Sequence, residues 1–462
     1  MGISLNPGSI LNGNGIDVSS LVTQALAPQN SEIQVLQQQQ SALQTQAGLL
    51  TGINSDLANL QTAVNSLTDV LGPLTTLTAQ SSQPSILTAS AQAGAAPGTH
   101  NVVVSTLASQ STLYTNAIAN ANTSIIPSNA TSADIQIQVG GLSGVTHDIP
   151  ITAGSNDTLN TLVSYINSQN WGVTASVLRD STGARLAIYS GSTGSAGALA
   201  VTNNTSNLAF NPPVGGTDAT FTVDGIPFSS TTNTVSGAIP GVTLNLVGAV
   251  PGVPVQVAVA PDANQATLAV DNFVSAYNTV VGDINQQFTI NPATNSEGPL
   301  GSDNSLRSLQ SSLLADATFS VNNGAFSSLD ALGITMNNDG TLSVDQAQLQ
   351  SAITSNPSGV LNFFQNSSLN GYANNFANDL NKLTDPTQGV LTVDLAQNQA
   401  SQQALSNSVS NMQDRLSTEQ QQLQTDFSQV NALLEAYPSQ LLAVQLELGI
   451  TPTNTHTQST IG

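Results

Sequence analysis

Histidines are the residues of this chain that would most directly indicate a metal or catalytic centre, and there are three: His100, His147 and His456. They are far apart in the sequence, and none has a second ligand residue at the spacing that a zinc site requires. We therefore interpret them as surface histidines in polar loops. The sequence contains no cysteine, which excludes disulfides, thiolate metal sites and cysteine nucleophiles.

The segment closest to a metal-binding loop is TMNNDG, residues 335–340. An EF-hand in this register would use Thr335, Asn337 and Asp339 as its first ligands, and it would need a bidentate glutamate where the chain has Gln346. Because the first and last carboxylates are missing, we interpret the segment as a tight turn. The sequence predicts no metal site and no cofactor.

The motifs of the common enzyme classes are missing as well. The sequence contains no P-loop, no dinucleotide fingerprint and no G-x-S-x-G elbow. Aromatic residues make up only 4% of the chain, and we interpret the single tryptophan, Trp171, as a core residue and not as a ligand platform. We therefore predict a protein that assembles with others and is not an enzyme.

The charge composition narrows the class of partner. Only 7% of the 462 residues are charged, against about 25% in ordinary soluble proteins. There are 5 Lys and Arg and 27 Asp and Glu, which gives a net charge of −22. Neutralising phosphate groups requires clustered basic residues, so we expect no nucleic acid partner and no binding to anionic membranes. Membrane insertion is not expected either, since no apolar run is long enough to span a bilayer.

Two long helices, one near each end of the chain, are the strongest predicted elements. In both, apolar residues recur every seven positions beside a second row, as in a coiled-coil seam. Gly72-Pro73 is predicted to end the first helix, and Pro438 to interrupt the second. The rows of the first helix are Leu36, Leu43, Leu50, Leu57, Val64 and Leu71, with Gln39, Gln46, Ile53, Leu60 and Leu67; those of the second are Val409, Leu416, Leu423, Val430 and Tyr437, with Leu405, Met412, Glu419, Asp426 and Leu433.

The simplest partner for either apolar stripe is the other helix. An antiparallel pair would bring Gln39 and Gln46 close to Glu419 and Asp426, which would make the seam partly polar. The pattern is equally compatible with an intramolecular bundle and with an intermolecular coiled coil.

Between the two helices, apolar residues alternate with a period of two, which indicates β-strands. Asp224-Gly225 is a predicted hairpin turn, and one amphipathic helix is embedded, with Asn156 or Asp157 as its cap. We therefore predict an α+β multidomain fold. Its N- and C-terminal helices pair into a coiled-coil or helical-bundle stem, and its β-rich domains are inserted between them.

The segment GIDVSSLVTQALAPQNSEIQVLQQQ, residues 15–39, is similar to the start of the flagellar hook-associated protein 2 family, whose members form the filament cap. Residues 151–194 resemble a repeat shared by flagellins and hook-associated proteins. Further landmarks of the family follow in order: Phe273-Val274, Tyr277-Asn278, Leu332-Gly333-Ile334, Asp339-Gly340-Thr341-Leu342 and Asn356-Pro357.

The resemblance implies a division of the chain into four regions. These are flexible legs (residues 1–35 and 438–462), a helical stem domain with a small β element (36–80 and 262–437), a β-rich domain (81–115 and 211–261) and an inserted β-rich domain with one helix (116–210).

It also implies a structural cap at the distal tip of the bacterial flagellar filament, which promotes flagellin folding and polymerisation and prevents monomer loss. The implied partners are flagellin, the hook–filament junction proteins, a cytoplasmic export chaperone and further copies of the chain in a homo-oligomeric ring, for which a pentamer is the preferred expectation. Such a protein would be extracellular and exported without a cleavable signal peptide. The alternative is a surface adhesin that binds a host ligand through its β-rich domains.

The residues expected to contact the filament or neighbouring subunits are apolar positions at the two ends of the helical region. The alternative is that they only pack the stem internally. They are Leu21, Val22, Leu26, Ile33, Leu36, Leu43, Leu433, Leu434, Tyr437, Leu441, Leu442 and Leu446.

Overall fold

The structure is a computed structural model that describes residues 17–448, except residues 93, 323 and 367–369. The side chains of residues 142, 438 and 441 are also outside the description. His456 therefore lies outside the described residues.

The described chain is helical near both ends and rich in strands between them, which confirms the predicted α+β multidomain class. Its helices are α1 (Val18–Thr68), α2 (Leu159–Ser168), α3 (Ala263–Phe288), α4 (Asn304–Ala317), α5 (Gln346–Ser355), α6 (Pro357–Phe364), α7 (Tyr372–Leu383) and α8 (Val390–Glu447). Its strands are β1 (Leu77–Ser81), β2 (Leu87–Ala91), β3 (Gly98–Thr106), β4 (Gln110–Tyr114), β5 (Ser132–Val139), β6 (Val145–Thr152), β7 (Val173–Asp180), β8 (Gly183–Thr193), β9 (Leu199–Asn204), β10 (Ala219–Val223), β11 (Ile226–Ser230), β12 (Thr234–Ile239), β13 (Val242–Leu246), β14 (Val255–Pro261), β15 (Ile334–Met336) and β16 (Leu342–Val344).

The chain divides into two compact units. Among the described residues, the helical unit comprises 17–65, 271–345 and 366–448, and the β-rich unit comprises 66–270 and 346–365. The finer limits of legs, stem and β domains stay a prediction.

The core of the helical unit combines the apolar rows of α1 with aromatic residues of α3 and α7. The rings of Phe273 and Phe376 meet edge to face, with centroids 5.5 Å apart and planes at 85°, an arrangement that aromatic pairs favour. Tyr277 and Tyr372 also contact this pair. The seam residues Leu50, Ile53, Leu57, Leu60 and Val64 are buried as well, so the heptad rows of this part of α1 are core positions as predicted.

The ends of the two long helices differ from the prediction. Helix α1 ends at Thr68, and Leu71 is 75% exposed instead of joining the seam. The carboxylate of Asp69 accepts a hydrogen bond from the backbone N–H of Leu71, and such local bonds compete with helix continuation. Helix α8 continues through position 438 to Glu447, so the predicted interruption at Pro438 is wrong. A proline removes one backbone hydrogen bond, and the remaining bonds of this 58-residue helix keep it continuous.

One apolar cluster of the β-rich unit lies between two antiparallel sheets. Their strand orders are β1-β14-β3-β10-β11 and β12-β13-β2. Strand β14 shows the predicted period of two, since Val255, Val257 and Val259 are buried and the residues between them are exposed. The predicted turn Asp224-Gly225 joins β10 to β11 with positive φ angles of 51° and 83°.

A second apolar cluster is formed by sheets β4-β8-β7 and β6-β5-β9 together with α2. The N-cap of α2 is Thr158, whose hydroxyl accepts a hydrogen bond from the backbone N–H of Thr161. The prediction of Asn156 or Asp157 as the cap is therefore wrong. Asn156 instead bridges the backbone of Thr152 and Pro150 at the end of β6.

Candidate interaction surface

The first turns of α1 bury the predicted interaction residues of the N-terminal end. Asp17 precedes the helix, and its carboxylate accepts a hydrogen bond from the backbone N–H of Ser20 at 3.1 Å, which satisfies a free donor of the first turn. The four predicted residues of this end pack inside the described chain and are at most 7% exposed: Leu21, Val22, Leu26 and Ile33.

Further along α1, the predicted residues Leu36 and Leu43 are half-buried. The side-chain amide of Gln402 in α8 donates to the backbone carbonyl of Leu43 at 3.4 Å and to Asn398 Oδ1 at 2.6 Å. The two long helices therefore contact each other here through a side-chain amide. At this point the interface between them is polar and not apolar.

The register of this contact differs from the predicted one. Gln46 does not face Asp426, because its side-chain amide donates to the backbone carbonyl of Pro299 at 2.9 Å. Asp426 accepts its hydrogen bond within α8, from Gln422 at 3.0 Å. The predicted cluster of seam polar residues is therefore wrong for this pair.

The predicted residues near the end of α8 are mostly exposed. Leu434 is half-buried, and the side chain of Leu441 lies outside the described residues. The exposed fractions of the other four are 70% for Leu433, 64% for Tyr437, 47% for Leu442 and 69% for Leu446.

Three exposed residues that were not among the predicted interaction residues extend this surface along α8. Val430, Val444 and Leu448 are 45%, 52% and 69% exposed. Together with Leu433 and Tyr437 they are spaced by three, four, seven and four positions, so all five lie on one helix face. We call these five residues the terminal stripe. Val430 belongs to the predicted row of the second helix, and Val444 and Leu448 continue the same face beyond Pro438 because the helix is not interrupted there.

The surroundings of the terminal stripe carry few charges. Helix α8 contains no Lys or Arg after Arg415, and the acidic residues between Val430 and Leu448 are Glu435 and Glu447. Glu435 accepts a hydrogen bond from the Asn431 side chain at 2.7 Å. An exposed apolar face with polar flanks is typical of a protein interaction surface.

The described histidines lie in strands and not in the predicted loops. His100 in β3 places Nδ1 2.8 Å from Asp224 Oδ2. The backbone N–H of Asn101, together with His100, lowers the pKa of the Asp224 carboxyl. His147 in β6 stacks on Trp171 with ring centroids 4.8 Å apart, and Trp171 packs against the core of its cluster. Both histidines thus have structural contacts.

Metal chemistry finds no support in residues 17–448, outside the gaps named above. No group of three or more potential ligand side chains comes together there. The TMNNDG segment forms the predicted turn between β15 and β16, where Asp339 accepts hydrogen bonds from the hydroxyl and backbone N–H of Thr341, and these lower its pKa.

Among the helices of the described part, none is long and apolar enough to cross a membrane.

Comparison with known sequences finds two profiles of one family, in order along the chain. "Flagellar hook-associated protein 2 N-terminus" matches residues 14–111, and "Flagellar hook-associated protein 2 C-terminus" matches residues 216–439. Between them, residues 134–192 match the "Flagellin hook IN motif".

Individual relatives agree with the profiles. The chain is 29% identical over 473 residues to the B-type flagellar hook-associated protein 2 of Pseudomonas aeruginosa, with 94% of each chain covered. It is 26% identical to the flagellar hook-associated protein 2 of Escherichia coli K12, over 75% of this chain and 78% of the relative. The fold is similar to the crystal structure of the D1-D2-D3 domains of the Escherichia coli flagellar cap protein FliD, with a TM-score of 0.56. The two chains are 23% identical, and the match covers 76% of this chain and 99% of that chain. The chain thus belongs to the flagellar hook-associated protein 2 family.

Proposed function

We propose that this chain is a structural cap at the distal tip of the bacterial flagellar filament. Family membership supports this role, because the relatives that cover the chain are flagellar hook-associated proteins. The observation that carries the proposal in this chain is the terminal stripe, an apolar face left uncovered near the end of a 58-residue helix. Exposing such a face to water costs free energy, and contact with another subunit removes that cost.

In this role the terminal stripe docks against apolar helical surfaces of flagellin or of neighbouring copies of the chain. The cap promotes flagellin folding and polymerisation by shape and contact, prevents loss of monomers, and performs no covalent chemistry. A ring of five copies, hook–filament junction proteins and a cytoplasmic export chaperone complete the proposed set of partners, and the proposed location is outside the cell.

The test is deletion of the gene, followed by measurement of unpolymerised flagellin in the medium and of filament length by electron microscopy. We expect leaked flagellin and absent or stunted filaments, restored by the wild-type gene. A Leu433→Ser, Tyr437→Ser variant should fail to restore filaments, because it makes the terminal stripe polar. The matched control is Gln429→Ser, Gln440→Ser, which changes two exposed polar positions of the same helix and should restore them.

Two outcomes would overturn the proposal. Normal filaments in the deletion strain, combined with lost surface attachment, would favour the adhesin alternative. Full rescue by the Leu433→Ser, Tyr437→Ser variant would remove the terminal stripe from the capping role.

A further inference from the structure

A buried carboxyl group lies in the helical unit at the contact between α4 and α7. Asp316, near the end of α4, is 5% exposed, and its Oδ2 atom has no hydrogen-bond partner. Its neighbours in the core include Leu313 and Ala317 of its own helix, which are also buried. An ionised carboxylate with one buried oxygen left unsatisfied is strongly disfavoured in such a place.

The other half of this contact is an ion pair on α7. Lys382 Nζ lies 2.6 Å from Asp379 Oδ1, and this hydrogen bond lowers the pKa of the Asp379 carboxyl. Asp379 also shares a hydrogen bond with Asp316. Two carboxyl groups can share such a bond only when one carries a proton. Asp379 is held in the charged form by Lys382, so the proton resides on Asp316.

The remaining titratable groups that face Asp316 come from α3 and α7. Burial, and after it the Asp316 charge, raises the pKa of Tyr277 above its ordinary value. The pKa of Tyr372 is raised by burial, then by Tyr277, then by Asp316. Both hydroxyl groups therefore stay neutral, and Lys382 is the single positive charge that acts on Asp316 among these groups.

We propose that Asp316, Asp379 and Lys382 form a proton-sharing latch that fastens α4 to α7 in acidic medium and loosens as the pH rises towards and above neutrality. The protonated carboxyl of Asp316 donates to the Asp379 carboxylate. Loss of that proton breaks the hydrogen bond and places two negative charges side by side, one of them on the buried Asp316. The latch is a property of the helical unit alone, and it is independent of the capping role.

The direction of the pH dependence follows from the proton count. Burial, followed by the hydrogen bond and charge of Asp379, raises the pKa of Asp316 from 3.8 to about 7. Between these values the folded state keeps a proton that the open state has released. The stabilisation is therefore complete below the unfolded pKa, falls as the pH rises through the folded pKa, and is lost above about 7.

Amide hydrogen exchange of the full chain, read by mass spectrometry on peptides from α4 and α7, tests the latch. After correction for intrinsic exchange rates, the opening constant of these helices should rise by up to about tenfold per pH unit between pH 5 and 6.5, and level off above about pH 8. Burial also raises the pKa values of Asp56 and Asp394 in the same unit. The contribution of Asp316 is therefore the difference between the wild type and Asp316→Asn, whose amide resembles a protonated carboxyl. The control is Asp180→Asn in the β-rich unit, because the pKa of Asp180 is about 2 and it does not titrate in this range.

Two variants that leave Asp316 in place separate the latch from simple packing. Asp379→Asn removes the carboxylate whose hydrogen bond and charge favour protonated Asp316, so the midpoint of the transition should move to lower pH. Lys382→Gln removes a charge that favours ionised Asp316, so the midpoint should move to higher pH. A wild-type slope in Asp316→Asn, or midpoint shifts of the same sign in these two variants, would overturn the latch.

Discussion

Leu26 of α1 and Leu433 of α8 are the same residue type on long helices of similar polar composition, yet 3% of the first and 70% of the second is exposed. The difference is one of available partners. The face of α1 that carries Leu26 packs inside the described chain, whereas the terminal stripe of α8 has no comparable cover within it. Equal leucine spacing therefore gives two outcomes: the buried rows stabilise the subunit, and the exposed row is the contact surface that we propose.

The largest effect is expected where the buried row is most enclosed. Leu57 is fully buried, so Leu57→Ala should lower the free energy of unfolding of the helical unit by about 2–5 kcal/mol through lost burial and the cavity left behind. Urea denaturation monitored by circular dichroism measures this change. The conservative variant Leu57→Met should lose less than about 1.5 kcal/mol, and similar losses in both variants would contradict the cavity explanation.

Leu26→Ala tests whether the start of α1 is as firmly packed as its middle. Because Leu26 lies within three turns of the helix end, partial unwinding can relieve the cavity, and we expect a smaller loss of about 2 kcal/mol. The same denaturation assay applies. A loss below about 0.5 kcal/mol would mean that the first turns of α1 are not part of the cooperative unit, and that its two ends resemble each other more than the exposed fractions indicate.

Gln402→Ala removes the amide contact between the two long helices. A hydrogen bond of this kind contributes about 0.5–1.5 kcal/mol, and the Leu43 carbonyl would lose that donor. The matched control is Gln403→Ala, which alters the adjacent, exposed glutamine. Equal stability of these two variants would show that the polar part of the seam adds no stability of its own.

The smallest effect on stability is expected for Leu433→Ala, the counterpart of Leu26→Ala. An exposed side chain loses little on truncation, so the change should lie within about 0.5 kcal/mol. Assembly should respond in the opposite order: Leu433→Ala should release more unpolymerised flagellin than Leu26→Ala when both are expressed in the deletion strain. If Leu26→Ala released more flagellin than Leu433→Ala, the contact surface would lie on α1, and the proposed difference between the two helices would be wrong.

The predictable part of the fold was the part set by local spacing. The rows through Leu57 and Leu60 predicted a long helix and its buried face, because a seven-residue repeat has one structural solution over that length. The cap of α2 was predicted one or two residues too early, since Asn156, Asp157 and Thr158 are all suitable cap residues. The side chain of Asn156 is instead bonded to the nearby backbone of Thr152 and Pro150.

The burial of the candidate interaction residues could not be predicted from the sequence. Sequence spacing located apolar residues at both ends of the helical region, but it could not tell which end has a partner inside the chain. Val444 and Leu448 were not among the predicted interaction residues, and they share a face with Leu433 only because α8 continues past its proline. Asp316 could not have been found, since its burial and its neighbour Asp379 depend on how two separate helices pack.

The contact between Leu43 and Gln402 joins residues that are 359 positions apart in the sequence. Contacts of such long range form slowly, because a long loop must close first. Each apolar cluster of the β-rich unit, by contrast, joins segments that lie closer along the chain. We therefore expect the strands to gain protection in pulse-labelled hydrogen exchange before α1 does, for instance Ile137 before Leu57. In a chain that appears N-terminus first, the sheets would therefore fold before α1 can pair with α8. The helical unit would be complete only when the residues of α8 arrive.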